Sequence, residues 1–366
     1  MAFWVNILNK EVTNESLKFY EYDEIKLLDD KTIACEQELL EKAFNRERRL
    51  NKEVIKLRII LYTTCNYNCK CCHHENIREV YEEPNIDKII ENLKTLHEWF
   101  EIKKISITGG EPLLPNYNSK LVKLISFIRT MFEGVDLSIL TNGFYLNKNL
   151  CAQLHEFGVR YKISLYGYNT DSFIEYAGVG KEIVENYDYL KEISDRLLLI
   201  NDFEDDVTIN IPVNRSIIGG LYDLLNNSIL QEALIKSNAK VKLIEMVKPR
   251  RGKESFDSQY ISEEEIISTV DVEKSIIKNV SSEDFFTERA LYNINGIPVS
   301  VYVYPCKKEM NCKKCFNNFG LTMKPNGEML ICNKAMSNNK RALKIISDLG
   351  IDVEDVDLSK EYELYS

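Results

Sequence analysis

The sequence predicts an α/β fold, a mainly parallel sheet with helices packed on it, from three observations. Between about residues 57 and 246, β-branched or Leu-rich runs bounded by turn residues alternate with helix-spaced stretches about six times. The helical stretches carry their apolar residues on one face; Ile89, Ile90, Leu93, Leu96 and Phe100 are an example. The composition, 44% hydrophobic and 28% charged, is that of an ordinary globular chain of 366 residues.

The strands are expected at Lys56–Tyr62, Lys104–Thr108, Val135–Thr141, Arg160–Leu165, Val207–Val213 and Val241–Met246. The helices are expected at Asp87–Phe100, with Asp87 as N-cap, and at Ser119–Phe132, Asn149–Phe157, Lys181–Ile193 and Gly220–Ile235. Periodicity leaves a partial barrel and an open doubly wound sheet equally open. In both, reactive groups gather at the C-terminal ends of the strands. Residues 56–249 form this core. Residues 1–55, with short strands at Phe3–Leu8 and Tyr20–Leu28 and a charged helix at Glu36–Leu50, form an N-terminal extension or a substrate-docking element. Residues 250–366 form a C-terminal region with a strand at Pro298–Tyr304 and a hairpin over Gly320–Ile331 turning at Pro325-Asn326-Gly327.

The formal charge of −10 argues against a general nucleic-acid binder, while leaving room for a local basic pocket. No apolar run approaches the roughly 20 residues that cross a bilayer. The N-terminus lacks the basic and apolar segments of a signal peptide. The expectation is a cytoplasmic protein without a membrane partner, whose thiols stay reduced.

Eight of the ten cysteines fall in two clusters, the pattern of metal ligands in a reducing compartment. Cys65, Cys69 and Cys72 are spaced Cys-x3-Cys-x2-Cys directly after the first strand. Three thiolates in one loop suit one soft metal centre, and a 4Fe–4S cluster held by three keeps an iron open for a ligand. Cys71, crowded between two ligands, packs or stays idle. Zinc is the alternative, with His73 or His74 as fourth ligand. The second cluster is Cys306, Cys312, Cys315 and Cys332, for which a zinc ribbon is the alternative.

The first loop resembles that of the radical SAM superfamily. Three features support the resemblance in chain order: Thr108-Gly109-Gly110-Glu111-Pro112, Leu140-Thr141-Asn142-Gly143 and Ile163-Ser164-Leu165, each at a strand end. Individually they read as turns or a cap. The resemblance implies a partial (β/α)6 barrel of the TIM type. It implies a 4Fe–4S cluster on Cys65, Cys69 and Cys72, and S-adenosylmethionine (SAM) held near Gly109, Gly110, Glu111 and Ser164, with Asn210 and Arg215 near the fifth strand end. The chemistry implied is reductive cleavage of SAM to a 5′-deoxyadenosyl radical that takes hydrogen from a substrate. The reductant implied is a flavodoxin or ferredoxin.

The C-terminal cysteines resemble the auxiliary-cluster region called Twitch, related to SPASM, and that of the GTP 3′,8-cyclases. This implies a second 4Fe–4S cluster on Cys312, Cys315 and Cys332, closed by Cys306 if it also ligates. Arg58, Lys104 and Arg215 match basic positions of the cyclases. Phe316-Asn317-Asn318-Phe319 and Pro115 stand where the cyclases have basic residues, which weakens phosphate recognition. The expected substrate is a peptide or small natural-product precursor, with a nucleotide-modifying enzyme and a zinc-binding structural protein as alternatives.

Overall fold

The structure, a computed structural model, describes residues 53–70, 72, 83–179, 187–245, 258–270, 278–281, 288–303, 321–330 and 350–351. Six βα units follow one another. β1 (Glu53–Tyr62) leads to α1 (Ile86–Trp99), β2 (Phe100–Gly109) to α2 (Asn118–Met131), and β3 (Asp136–Thr141) to α3 (Lys148–His155). β4 (Arg160–Ser164) leads to α4 (Thr170–Ala177) and α5 (Tyr189–Asn201). β5 (Val207–Val213) leads to α6 (Arg215–Ile218), α7 (Leu221–Leu225) and α8 (Ser228–Lys236), and β6 (Lys240–Glu245) to α9 (Glu263–Thr269). Then come β7 (Lys278–Ser281), β8 (Glu288–Ile294), β9 (Ile297–Val303), β10 (Leu321–Met323) and β11 (Met329–Leu330).

All share one sheet, in the order β11-β10-β1-β2-β3-β4-β5-β6-β9-β8-β7. The eight strands from β10 to β9 are parallel. A doubly wound sheet reverses its strand order at a switch point. Here β1 to β6 stand in chain order, so every right-handed crossover lays its helix on the same face, the winding of a barrel. Among the described residues β7 and β11 are the sheet's edges, so the barrel is partial. The α/β partial (β/α)6 barrel is therefore the observed architecture, extended by β9 on one side and β10 on the other. Among the described residues no helix is long and apolar enough to cross a membrane.

The two faces of the sheet differ because strand side chains alternate. Toward the helices lie Ile59, Ile105, Ile107, Ile139, Ile163, Ile209 and Leu243, each at most 1% exposed. Burial of each contributes about 2 kcal/mol. They meet the helical stripe of Ile89, Leu93 and Leu96 on α1 and Leu121, Leu124, Ile125 and Ile128 on α2. The opposite face is polar. Arg58, Ser106, Ser138 and Arg160 stand in register across β1–β4, and Ser164, Asn210, Lys242 and Ser300 across β4, β5, β6 and β9.

Three local expectations are corrected. The cap of α1 is Asn85, whose side chain accepts from the Lys88 N–H at 3.0 Å; Asp87 points outward and holds Lys123 at 2.8 Å. Residues 181–186 of the helix expected at Lys181–Ile193 lie outside the described residues; its remainder falls in α5, which is capped by Asp188 and carried on through Asn201. Its apolar stripe is interrupted by Ser194 and Arg196, both buried, which hid its length in the sequence. The helix expected at Gly220–Ile235 breaks into α7 and α8 because Asn227 caps a new helix, accepting from the Leu230 N–H at 3.0 Å. The eight-residue α4 was not expected; its capping box of Asn169 and Ser172 defines its start.

The hairpin of β10 and β11 turns where expected, with Gly327 at φ +88°. It is clipped to the start of α1: Asn92 Nδ2 donates to the Gly327 carbonyl at 2.7 Å, and the Asn85 N–H to the Pro325 carbonyl at 2.8 Å. Asn92 is 2% exposed, so Asn92→Leu leaves a carbonyl unpaired away from water. Urea unfolding should register a loss of about 1–3 kcal/mol, with faster amide exchange over Lys324–Glu328. Unchanged exchange there would remove the clip.

Candidate active site

Past Tyr62 the chain leaves β1 and runs through the cysteine loop, which other elements hold on two sides. On one side the last carbonyls of α4 accept its amides: Asn68 N–H to Ala177 O at 2.8 Å and Lys70 N–H to Tyr176 O at 3.0 Å. Helix C-termini leave such carbonyls without partners, so helix and loop satisfy each other. The helix stops at Gly178, φ +60°, where a Cβ would lie 2.4 Å from the Asn68 carbonyl oxygen. Inside the loop, the Tyr67 N–H points at Cys65 Sγ (3.4 Å) and the Cys72 N–H donates to the Cys69 carbonyl (3.1 Å). The Tyr67 ring is a buried wedge, edge-on to Phe144, Tyr166 and Phe173. Burial holds its hydroxyl far above the usual tyrosine range.

On the other side stands the end of β2. Gly110 N–H donates to Tyr62 O at 2.6 Å, and Glu111 N–H to Thr64 O at 2.8 Å. The approach is so close that a Cβ on Gly109 would sit 2.4 Å from Tyr62 O, and one on Gly110 1.9 Å from Thr64 O. Gly109 also has φ +147°, a conformation that side chains disfavour. The two glycines are thus required by the backbone immediately before Cys65.

Glu111 departs from the expectation of a direct SAM contact through its side chain. It is 1% exposed, and its carboxylate accepts from Thr141 Oγ1 (2.5 Å), the Asn142 N–H (2.8 Å) and the Leu113 N–H (3.0 Å). It braces the end of β2 to the end of β3. Burial pushes its pKa up to about 7, against the three donors that favour the charged form. Asn142, which composition and spacing did not single out as a site residue, continues the brace. Its Nδ2 donates to Asn66 Oδ1 at 2.7 Å and lies 4.0 Å from Cys65 Sγ. The Thr141-Asn142-Gly143 turn at a strand end was the available signal.

Ser164 and Asn210 are direct partners on β4 and β5, on the polar face at the strand ends. Arg215 is corrected: its side chain is half exposed and pairs with Glu265 of α9 at 2.7 and 3.2 Å, so it serves as a tie between helices. Tyr168 packs against Gly220, where a Cβ would enter its ring. Cys71, His73, His74, Cys306, Cys312, Cys315 and Cys332, and the elements expected within residues 1–52, lie outside the described residues.

Cys65 and Cys72 are partly exposed and Cys69 is buried. Among the described residues no three His, Cys, Asp or Glu side chains gather as a site for a single metal ion. The three soft donors in one anchored loop, with an N–H aimed at Cys65, have the chemistry an iron–sulfur cluster takes. Residues 59–212 match the family model of the Radical SAM superfamily. Over that stretch the chain is similar to a radical SAM domain. The domain's match begins within β1 and ends within β5. A probable GTP 3′,8-cyclase of Thermoplasma volcanium is 36% identical over 129 residues, 35% of this chain and 38% of that protein. Another, of Thermococcus kodakarensis, is 29% identical over 209 residues, 57% of this chain and 62% of that protein. The chain thus spans between 38 and 62% of the length of these two relatives. Among solved structures, Streptococcus suis SuiB bound to precursor peptide SuiA has a TM-score of 0.54 at 12% identity, covering 84% of this chain and 65% of that one. At that identity the likeness shows the fold.

Two outcomes test this anchoring. Gly110→Ala should lower stability by about 3 kcal/mol and reduce iron bound after reconstitution, whereas Gly219→Ala, with nothing near its Cβ, should stay within about 0.5 kcal/mol. Equal effects at the two sites would contradict the close approach. For Glu111, a folded pKa of about 7 against an unfolded value near 4.5 means that its contribution is complete below the unfolded value. It is lost as pH rises through 7. The stability gap between apo wild type and Glu111→Gln should therefore narrow from pH 5 to pH 8 in urea titrations. A constant gap would show that Glu111 titrates normally.

Proposed function

We propose that this protein is a cytoplasmic radical SAM enzyme that takes a hydrogen atom from a peptide or small natural-product precursor. The observation that carries the reading is the three-cysteine loop at the end of β1, braced by the ends of β2, β3 and α4. A 4Fe–4S cluster there, with SAM on its open iron, supplies the 5′-deoxyadenosyl radical when bound. The chain's own residues do the rest. Cys65, Cys69 and Cys72 hold the cluster. The Gly109–Glu111 backbone and Asn142 fix the loop's position. Ser164 and Asn210 line the strand ends beside it. Apolar and aromatic packing under the loop, including Tyr67 and Phe173, keeps water from below. Cys312, Cys315 and Cys332, with Cys306, would hold an auxiliary 4Fe–4S cluster, and a flavodoxin or ferredoxin would deliver the electron.

The peptide reading is supported by the SuiB fold likeness. A second reading, a nucleotide-modifying enzyme, is favoured by the basic character of the polar sheet face and by the GTP 3′,8-cyclase relatives. Anaerobic reconstitution tests the shared core. The wild type should bind about eight irons, and a Cys65/Cys69/Cys72→Ala variant about four, with loss of reductant-dependent 5′-deoxyadenosine release from SAM. About four irons in the wild type and none in the variant would remove the auxiliary cluster. A colourless zinc protein inert to SAM would replace both readings with a structural one.

A further inference from the structure

Asn142 stands one residue past β3 and is 5% exposed. Its backbone N–H donates to Glu111 Oε2 at 2.8 Å, and its side-chain Oδ1 accepts from the Phe144 N–H at 2.9 Å. Those bonds fix which way the amide faces. A flipped amide would set its NH2 against the Phe144 N–H and its oxygen against Asn66 Oδ1. The NH2 group therefore faces the cysteine loop with two hydrogens to place. One goes to Asn66 Oδ1 at 2.7 Å, and Cys65 Sγ lies 4.0 Å from the same nitrogen. The Tyr67 N–H approaches that sulfur from within the loop at 3.4 Å. As a thiol, Cys65 turns its own proton to Asn66 Oδ1 at 3.9 Å. As a metal-bound thiolate it has no proton, and only acceptor capacity remains. Both N–H donors then meet a charged sulfur, where a hydrogen bond is stronger than between neutral groups.

We propose that Asn142 raises the reduction potential of the iron–sulfur cluster held by the cysteine loop, by donating an N–H···S hydrogen bond to Cys65. The proposal rests on the radical SAM reading of Cys65, Cys69 and Cys72. Asn142 acts through Cys65 and is a positioning residue. Reduction brings one electron from the external donor, and part of the added negative charge falls on the thiolate sulfurs. A donor held at Cys65 therefore favours the reduced form. The bonds to Glu111 and Phe144 hold that donor in place before the electron arrives, so it needs no reorientation when the charge appears. The consequence is that a milder one-electron reductant suffices to charge the site.

The test is an electrochemical titration of the anaerobically reconstituted full chain, followed by electron paramagnetic resonance on the signal that shifts with SAM. Asn142→Asp keeps the side-chain shape and an acceptor for the Phe144 N–H, and replaces the donor with an acceptor. It should lower the equilibrium constant for reduction about tenfold, a fall of ~59 mV in the midpoint for one electron. Asn142→Ala should shift it in the same direction by less. Asn66→Ala is the structural control. It removes the same 2.7 Å hydrogen bond but leaves the Asn142 amide to Cys65, so its midpoint should stay at or above that of the wild type. At an ambient potential near the wild-type midpoint, 5′-deoxyadenosine release by Asn142→Asp should fall with the reduced fraction and recover at a more negative potential. Equal midpoints in the wild type and both Asn142 variants, or a fall in Asn66→Ala that matches Asn142→Ala, overturns the proposal and leaves the radical SAM reading standing. A wild type without a SAM-responsive signal removes that reading, and the proposal with it.

Discussion

At the end of β2 two glycines lie so close to the chain leaving β1 that no side chain fits between them. The rest of the site depends on this contact. It fixes Tyr62–Thr64 by two backbone hydrogen bonds, and the first cysteine follows at once. Glu111, the next residue, turns into the protein and ties β2 to β3 with a buried carboxylate. From β3 the brace passes through Asn142 to Asn66, one residue after Cys65. Three strand ends and a loop are thereby locked as one body. A site that must place a reactive group within a fraction of an ångström needs such support from rigid elements.

The far side of the loop is held by a different device. The last carbonyls of α4 lie beyond the reach of its own amides, and the Asn68 and Lys70 amides of the loop turn to them. Each completes the other, and the Tyr67 ring fills the space beneath. Because the partners are backbone groups, side-chain identity barely registers there. That explains why α4 and its role were invisible to pattern reading, while the cysteines were not.

What the sequence revealed was what periodicity and spacing encode. The six strands, the order-preserving βα units, the cysteine triplet and the Pro-Asn-Gly hairpin all follow from apolar alternation or residue type. What it missed was decided by competition between similar groups. Asn85 and Asp87 both suit an N-cap, and only geometry assigns Asn85. Glu111 and Arg215 both looked like ligand contacts. Each is taken by a partner from another element, Thr141 with Asn142 and Glu265 respectively, which no local pattern announces. The basic side chains of four strands, Lys162 among them, share one face through the sheet registers, which residue spacing along the chain does not encode.

One mouth of the barrel presents cysteines on a braced loop, and the inner wall below presents basic side chains, so reactive and charged groups are separated along the strands. The most direct measurement is electron paramagnetic resonance of the reduced, reconstituted Cys312/Cys315/Cys332→Ala variant, with and without SAM. Only the loop cluster would then contribute. The account predicts a 4Fe–4S signal whose g-values shift when SAM binds its open iron. A signal indifferent to SAM, or no cluster signal at all, would contradict it.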